Sequence, residues 1–104
     1  MNSNPTTSTY KLHFSLQAKQ DIDGILQYTL ETWGIAQMKK YSQFLDEGFQ
    51  TILRNPAIGR EKIVYFPGCR QLHVKRHMIF YRINNNEIGI VRVLRGDMDF
   101  AKWL

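Results

Sequence analysis

At 104 residues, 43% hydrophobic and 12% aromatic, the chain suits one domain around one modest core and is too apolar to be disordered throughout. No apolar run approaches the length that crosses a bilayer, and the polar start from Met1 to Thr9 lacks the apolar centre of a signal peptide, so a cytoplasmic protein is expected. The net charge of +5 is uneven: up to Leu53 four lysines face five acids, whereas from Arg54 onward ten Lys or Arg face four acids. Such asymmetry points to an acidic or polyanionic partner for the second half, although for any single cation a solvated edge or turn charge is the simpler reading. The single Cys69 cannot form an internal disulfide. It reads as a small strand residue, no Cys or His spacing resembles a zinc site, and no cofactor is expected.

Residues 1–8 are small and polar and read as a disordered leader. From Tyr10 to Phe14 apolar and polar residues alternate, which predicts a strand with Tyr10, Leu12 and Phe14 facing inward and Lys11 and His13 outward. Ser15 is placed to cap a helix. Ala18, Ile22, Ile25, Leu26, Thr29 and Trp33 recur at helical spacing, Tyr28 lies at the edge of that stripe, and Gly34 stands where a C-terminal cap belongs. A second helix is predicted from Ile35, with Met38, Tyr41, Leu45, Phe49 and Ile52 on one stripe and Phe44 and Leu53 widening it. One intervening residue folds the two helices into an antiparallel hairpin. Pro56 ends the second helix and Gly59 permits the turn that follows, while Glu61 to Phe66 is a connection without a defined form.

Pro67 to Asp99 contains short runs rich in Ile, Val, Phe and Tyr, separated by Lys75-Arg76 and by Asn84-Asn85-Asn86. This predicts a three-stranded antiparallel meander. With Asn85 and Asn86 as the turn, Tyr81 falls opposite Ile90, Ile79 opposite Arg92 and His77 opposite Leu94, while Phe80 pairs with Val91 and Met78 with Val93. Across Lys75-Arg76, Arg70 lies beside Tyr81 and Leu72 beside Ile79. Both faces are then largely apolar, and one gathers Arg70, His77, Tyr81 and Arg92. The expected fold is α+β: a strand, a helical hairpin covering one sheet face, and a meander whose other face is left open for a partner.

These residues carry a family resemblance from Tyr10 to Asp99. Ala18, Asp21, Ile25, Tyr28, Trp33-Gly34 and Tyr41 match the helical hairpin of the RelE/ParE superfamily, and Asn55-Pro56 and Ile58-Gly59-Arg60 match its exit. Gly68, Arg70, His77, Phe80-Tyr81-Arg82 and Arg92-Val93-Leu94 match its sheet, and Met98-Asp99 its tail. The chain resembles in particular ParE, the toxin half of a bacterial type II toxin–antitoxin pair. Arg95 stands where the family often has His, so no role for that imidazole carries over, and Met38 stands where Ala is common.

The resemblance implies a RelE/ParE-like fold, growth arrest through DNA gyrase without catalysis, and neutralisation by a ParD-like antitoxin in a hetero-oligomer. On that reading Arg70, Arg92, Arg95, Asp97, Met98 and Asp99 contact gyrase or the DNA it holds, arginine being suited to bidentate pairing with carboxylate or phosphate. Tyr28, Leu72, Ile79, Tyr81 and Ile90 are the expected antitoxin contacts. For Arg92 an ion pair with a tail carboxylate such as Asp99 is the competing role. The alternative function is a RelE-like, ribosome-dependent mRNA endoribonuclease using Arg70, His77, Tyr81 and Arg92. The lysine-rich strand and C-terminal tyrosine of such enzymes have no convincing counterpart here, and His77 reads as a strand-start residue bonding the backbone ahead of a catalytic base. A third reading, a DNA-binding protein, lacks a basic helix.

Overall fold

A computed structural model describes residues 9–104; the leader expected over residues 1–8 lies outside the described residues. The first strand, β1 (Lys11–Phe14), leads directly into the helix α1 (Leu16–Trp33), whose start is capped as expected: Ser15 Oγ accepts from the Ala18 N–H at 2.9 Å. Gly34 separates α1 from α2 (Ile35–Arg54). Its φ of +91° is open to glycine at little cost, and its N–H closes α1 onto the Leu30 carbonyl. A 3-10 turn over Pro56–Ile58 follows.

The remaining strands are β2 (Arg60–Glu61), β3 (Arg70–Val74), β4 (His77–Asn84) and β5 (Glu87–Arg95), and the chain ends in the short helix α3 (Phe100–Trp103). Together they form one five-stranded sheet in the order β1-β5-β4-β3-β2. The expected meander is therefore flanked on both sides, by β1, which runs parallel to β5, and by the two-residue β2 inside the connection that had no defined form. Among the described residues no helix is long and apolar enough to cross a membrane.

The expected register holds across Lys75-Arg76, with Arg70 opposite Tyr81 and Leu72 opposite Ile79. It holds in the β4–β5 hairpin only from the turn as far as Tyr81 opposite Ile90. Beyond that point a bulge leaves Val91 unpaired, so Phe80 faces Arg92, Ile79 faces Val93, Met78 faces Leu94 and His77 faces Arg95. The cause is visible beside it. The end of β1 leaves β5 there, and Ser15 takes over, its N–H donating to the Ile90 carbonyl at 3.0 Å and its hydroxyl to the Val91 carbonyl at 2.7 Å.

The shift decides which face each residue joins. Ile79, Tyr81, Ile88, Ile90 and Val93 are buried beneath the helical hairpin with Ala18, Leu45, Phe49 and Ile52, and Leu72 and Val74 pack at the margin. Gly48 allows α2 to come this close, since a Cβ there would stand 2.7 Å from Val74 Cγ2. Trp33, predicted for this core, lies outside it at 67% exposure.

The opposite face is not open, contrary to expectation. Cys69, Phe80 and Leu94 are buried there under Tyr65, Phe66, Met98, Phe100 and Leu104. Phe100 sets its ring against Phe80 at a centroid distance of 4.8 Å. The connection between β2 and β3 and the C-terminal helix thus supply the lid that the two long helices cannot.

Candidate functional site

The expected cluster of Arg70, His77, Tyr81 and Arg92 is dispersed by this geometry. Tyr81 is fully buried; its hydroxyl donates to the Pro56 carbonyl at 2.7 Å and accepts from the Gly59 N–H at 2.8 Å. Arg70 reaches the same turn, Nη1 donating to the carbonyls of Ala57 at 3.1 Å and Gly59 at 2.8 Å. Burial pushes the Tyr81 hydroxyl pKa up, against the Gly59 hydrogen bond and the nearby Arg70 charge. These two residues fasten the exit of α2 to the sheet. Gly59 serves the same contact: its φ of −70° suits any residue, and glycine is needed because the Tyr81 ring occupies the space of a Cβ.

The expected antitoxin contacts Ile79, Tyr81 and Ile90 are likewise interior, at 0%, 0% and 1% exposure, and Leu72 packs against the same core. Tyr28 differs, standing 64% exposed on α1.

Arg92 forms its ion pair with Asp21 of α1 rather than with the tail. Nε and Nη2 grip the two carboxylate oxygens at 2.7 and 2.8 Å. Asp21 also accepts from the Val93 N–H at 3.0 Å, and Arg92 Nη1 donates to the Trp103 carbonyl at 3.1 Å. The Asp21 hydrogen bonds hold the Arg92 pKa above its usual range. One guanidinium therefore ties α1, β5 and α3 together where β5 has no strand on its outer side. Asp21 sits on the inward stripe of α1, three residues after Ala18 and four before Ile25. A carboxylate in that position needs a partner, and this was the signal available in the sequence.

Around this junction α1, α2, the end of β5 and the tail enclose a cleft of about 980 Å³. It gathers Tyr28, His77, Arg92, Arg95, Asp97 and Met98 from the expected site, and leaves out Arg70, Tyr81, Leu72, Ile79, Ile90 and Asp99. Asp99 is the exposed residue that precedes α3. Sequence reasoning missed Trp33, Tyr41, Arg76 and Trp103, which also line the cleft. No periodicity marked the tryptophans as exposed partners in one hollow, and Tyr41 was assigned wholly to the core.

His77 lies on the cleft wall with Nδ1 against the Tyr41 hydroxyl, which also accepts from the Arg76 N–H at 3.3 Å. The Tyr41 oxygen, with one proton and two lone pairs, can bond Nδ1 in either tautomer of the neutral ring. Burial lowers the His77 pKa, the Arg95 charge lowers it further, and Asp97 opposes. Burial also raises the Tyr41 hydroxyl. Arg95 and Asp97 pair at 2.6 Å with both side chains largely exposed, which holds the Asp97 carboxyl below its ordinary value and Arg95 above its own. The site is thus an aromatic and arginine-bearing hollow with one neutral imidazole in its wall.

Residues 12–100 match the family described as the ParE toxin of the type II toxin–antitoxin system, parDE. The chain is 34% identical over 99 residues to Toxin ParE1 of Mycobacterium tuberculosis, covering 94% of this chain and 99% of that protein. It is 31% identical over 85 residues to Toxin ParE1 of Caulobacter vibrioides, covering 82% and 88%. A chromosomal ParDE toxin–antitoxin system from P. aeruginosa shares the fold, with a TM-score of 0.72 at 22% identity over 86% of this chain and 98% of that one. The sheet, the helical hairpin and these matches lead to one conclusion: the chain belongs to the ParE toxin family of type II toxin–antitoxin systems, within the RelE/ParE superfamily.

Proposed function

We propose that this toxin arrests growth by binding DNA gyrase and blocking replication, and that a ParD-like antitoxin neutralises it in the cytoplasm as a hetero-oligomer. Membership of the ParE toxin family across residues 12–100 carries the reading. The cleft is the working surface: Arg95 from the end of β5 and Asp97 and Met98 from the tail line it, together with Tyr28 and the clamped Arg92. The exposed apolar side chains of Tyr28, Trp33 and Trp103 give an antitoxin segment its anchors, and the surplus of cations in the C-terminal half favours an acidic one.

Action by binding, without chemistry, is supported by the dispersal of the ribonuclease set. Tyr81 and Arg70 hold the exit of α2, and Arg92 holds Asp21. None of these three is poised beside His77 as a free acid, base or phosphate clamp.

The test is purified toxin added to gyrase with supercoiled plasmid, with and without antitoxin. Loss of supercoiling or accumulation of linear DNA, reversed by the antitoxin, is expected. Untouched gyrase alongside cleavage of ribosome-bound message would establish the endoribonuclease instead.

A further inference from the structure

We propose that the cleft takes a short single-stranded segment of nucleic acid, its bases stacked on Tyr28, Trp33 and Trp103 and its phosphates held by Arg76 and Arg95. The proposal rests on reading the cleft as the toxin's working surface and names what that surface recognises.

Three large aromatic side chains stand around one hollow at 64%, 67% and 49% exposure. Flat rings left uncovered by their own protein are what sequence-tolerant base stacking requires, since every base has a π-face. The volume of about 980 Å³ lies at the upper end of the range usual for ligand pockets, roughly 300–1,000 Å³. Trp103 is not a loose chain end. Its carbonyl accepts from Arg92, whose guanidinium lies 5.8 Å from the indole centroid, so the outer stacking platform is tied to the sheet.

The charges are arranged to suit. Arg92 is engaged by Asp21. Arg76 is exposed, and among the described residues no carboxylate pairs with its guanidinium. The carboxylate partner of Arg95 is the solvent-exposed Asp97, a bond of the kind that contributes little and that an incoming phosphate can replace. Neutral His77 lines the same cleft without adding fixed charge. Two cations and three exposed rings line one cleft, the pairing of groups that a strand with separate phosphates and bases can use. The rigid rod of a duplex keeps its bases stacked on one another and offers nothing to these rings.

Both tryptophans of the chain line this one cleft, so fluorescence excited selectively in tryptophan reports on it. Full-length toxin is titrated with dT12, with U12, with the same DNA length as duplex and with inorganic polyphosphate. Saturable quenching by a single strand is expected, and the DNA and RNA arms identify the preferred sugar by their relative affinity. Trp33→Phe and Trp103→Phe should each leave a quench from the other indole. Tyr28→Ala should weaken binding about fivefold or more. Arg95→Gln and Arg76→Gln should each lower the salt slope by about 0.7. All these side chains are exposed or at the rim, and an unchanged unfolding transition checks the fold. Absence of quenching, equal quenching by polyphosphate or duplex, or variants with wild-type affinity would each overturn the proposal. Wild-type toxin that still inhibits gyrase in that event leaves the gyrase reading standing and removes only the nucleic-acid contact.

Discussion

Arg92 holds three parts of the chain at once, and its loss should be felt as instability before it is felt as lost recognition. Arg92→Ala strips Asp21 of a bidentate partner while both side chains are only 15% and 14% exposed. A loss of about 1.5–3 kcal/mol in urea unfolding is expected. Arg92→Lys should recover little of it, since an ammonium cannot span both oxygens. At Gly59 the cost is steric: Gly59→Ala pushes a methyl into the Tyr81 ring, with an expected penalty of about 1–3 kcal/mol and an unchanged cleft. His77 gives a pH dependence whose sign follows from its depressed pKa. Between the folded and unfolded values the unfolded chain binds the extra proton, so stability rises with pH in that window. Its contribution is complete above about pH 6.5 and is lost as pH falls through the lower folded value. His77→Gln should flatten that part of the stability–pH curve, measured by denaturant midpoints between pH 5 and 8.

At the scale of elements, α3 is only four residues long, yet with the connection between β2 and β3 it closes the second sheet face. Cys69 reports on that closure. It is fully buried and its thiol is pushed up to about 11, so the native chain should react slowly with a thiol reagent near neutral pH. Removing residues 100–104 should expose Phe80 and Leu94, raise binding of an apolar dye and speed labelling of Cys69. Unchanged labelling would show that the tail lies on the surface without sealing it.

The elements read best from sequence were those with local signals: the Ser15 cap, the Gly34 break and the β3–β4 register all depend on neighbours in the chain. The β4–β5 register failed midway because the bulge at Val91 is set by Ser15, 76 residues away. That slip placed Arg92 on the wrong face and assembled a cluster that the fold disperses. Tyr28, His77, Arg95, Asp97 and Met98 survive as neighbours because they depend on the helix edge, the strand start and the tail. Trp33 and Trp103 were not recognisable because exposure of a large ring is decided by what fails to cover it.

For the molecule as a whole, the proposed working surface is the cleft between α1 and the end of β5 in place of a sheet face. Both sheet faces are covered from within, and the rim where helix, strand and tail meet gathers exposed aromatic rings and arginines in one cleft. The most direct measurement is inhibition of gyrase supercoiling by the double variant Tyr28→Ala/Arg95→Gln, set against Lys40→Ala on the exposed side of α2 and against wild type, all folded. The double variant should need about tenfold more protein or worse, the loss expected when anchors at a contact surface are removed, while Lys40→Ala matches wild type. Equal potency of all three would contradict the assignment of the cleft as the surface through which this ParE toxin acts.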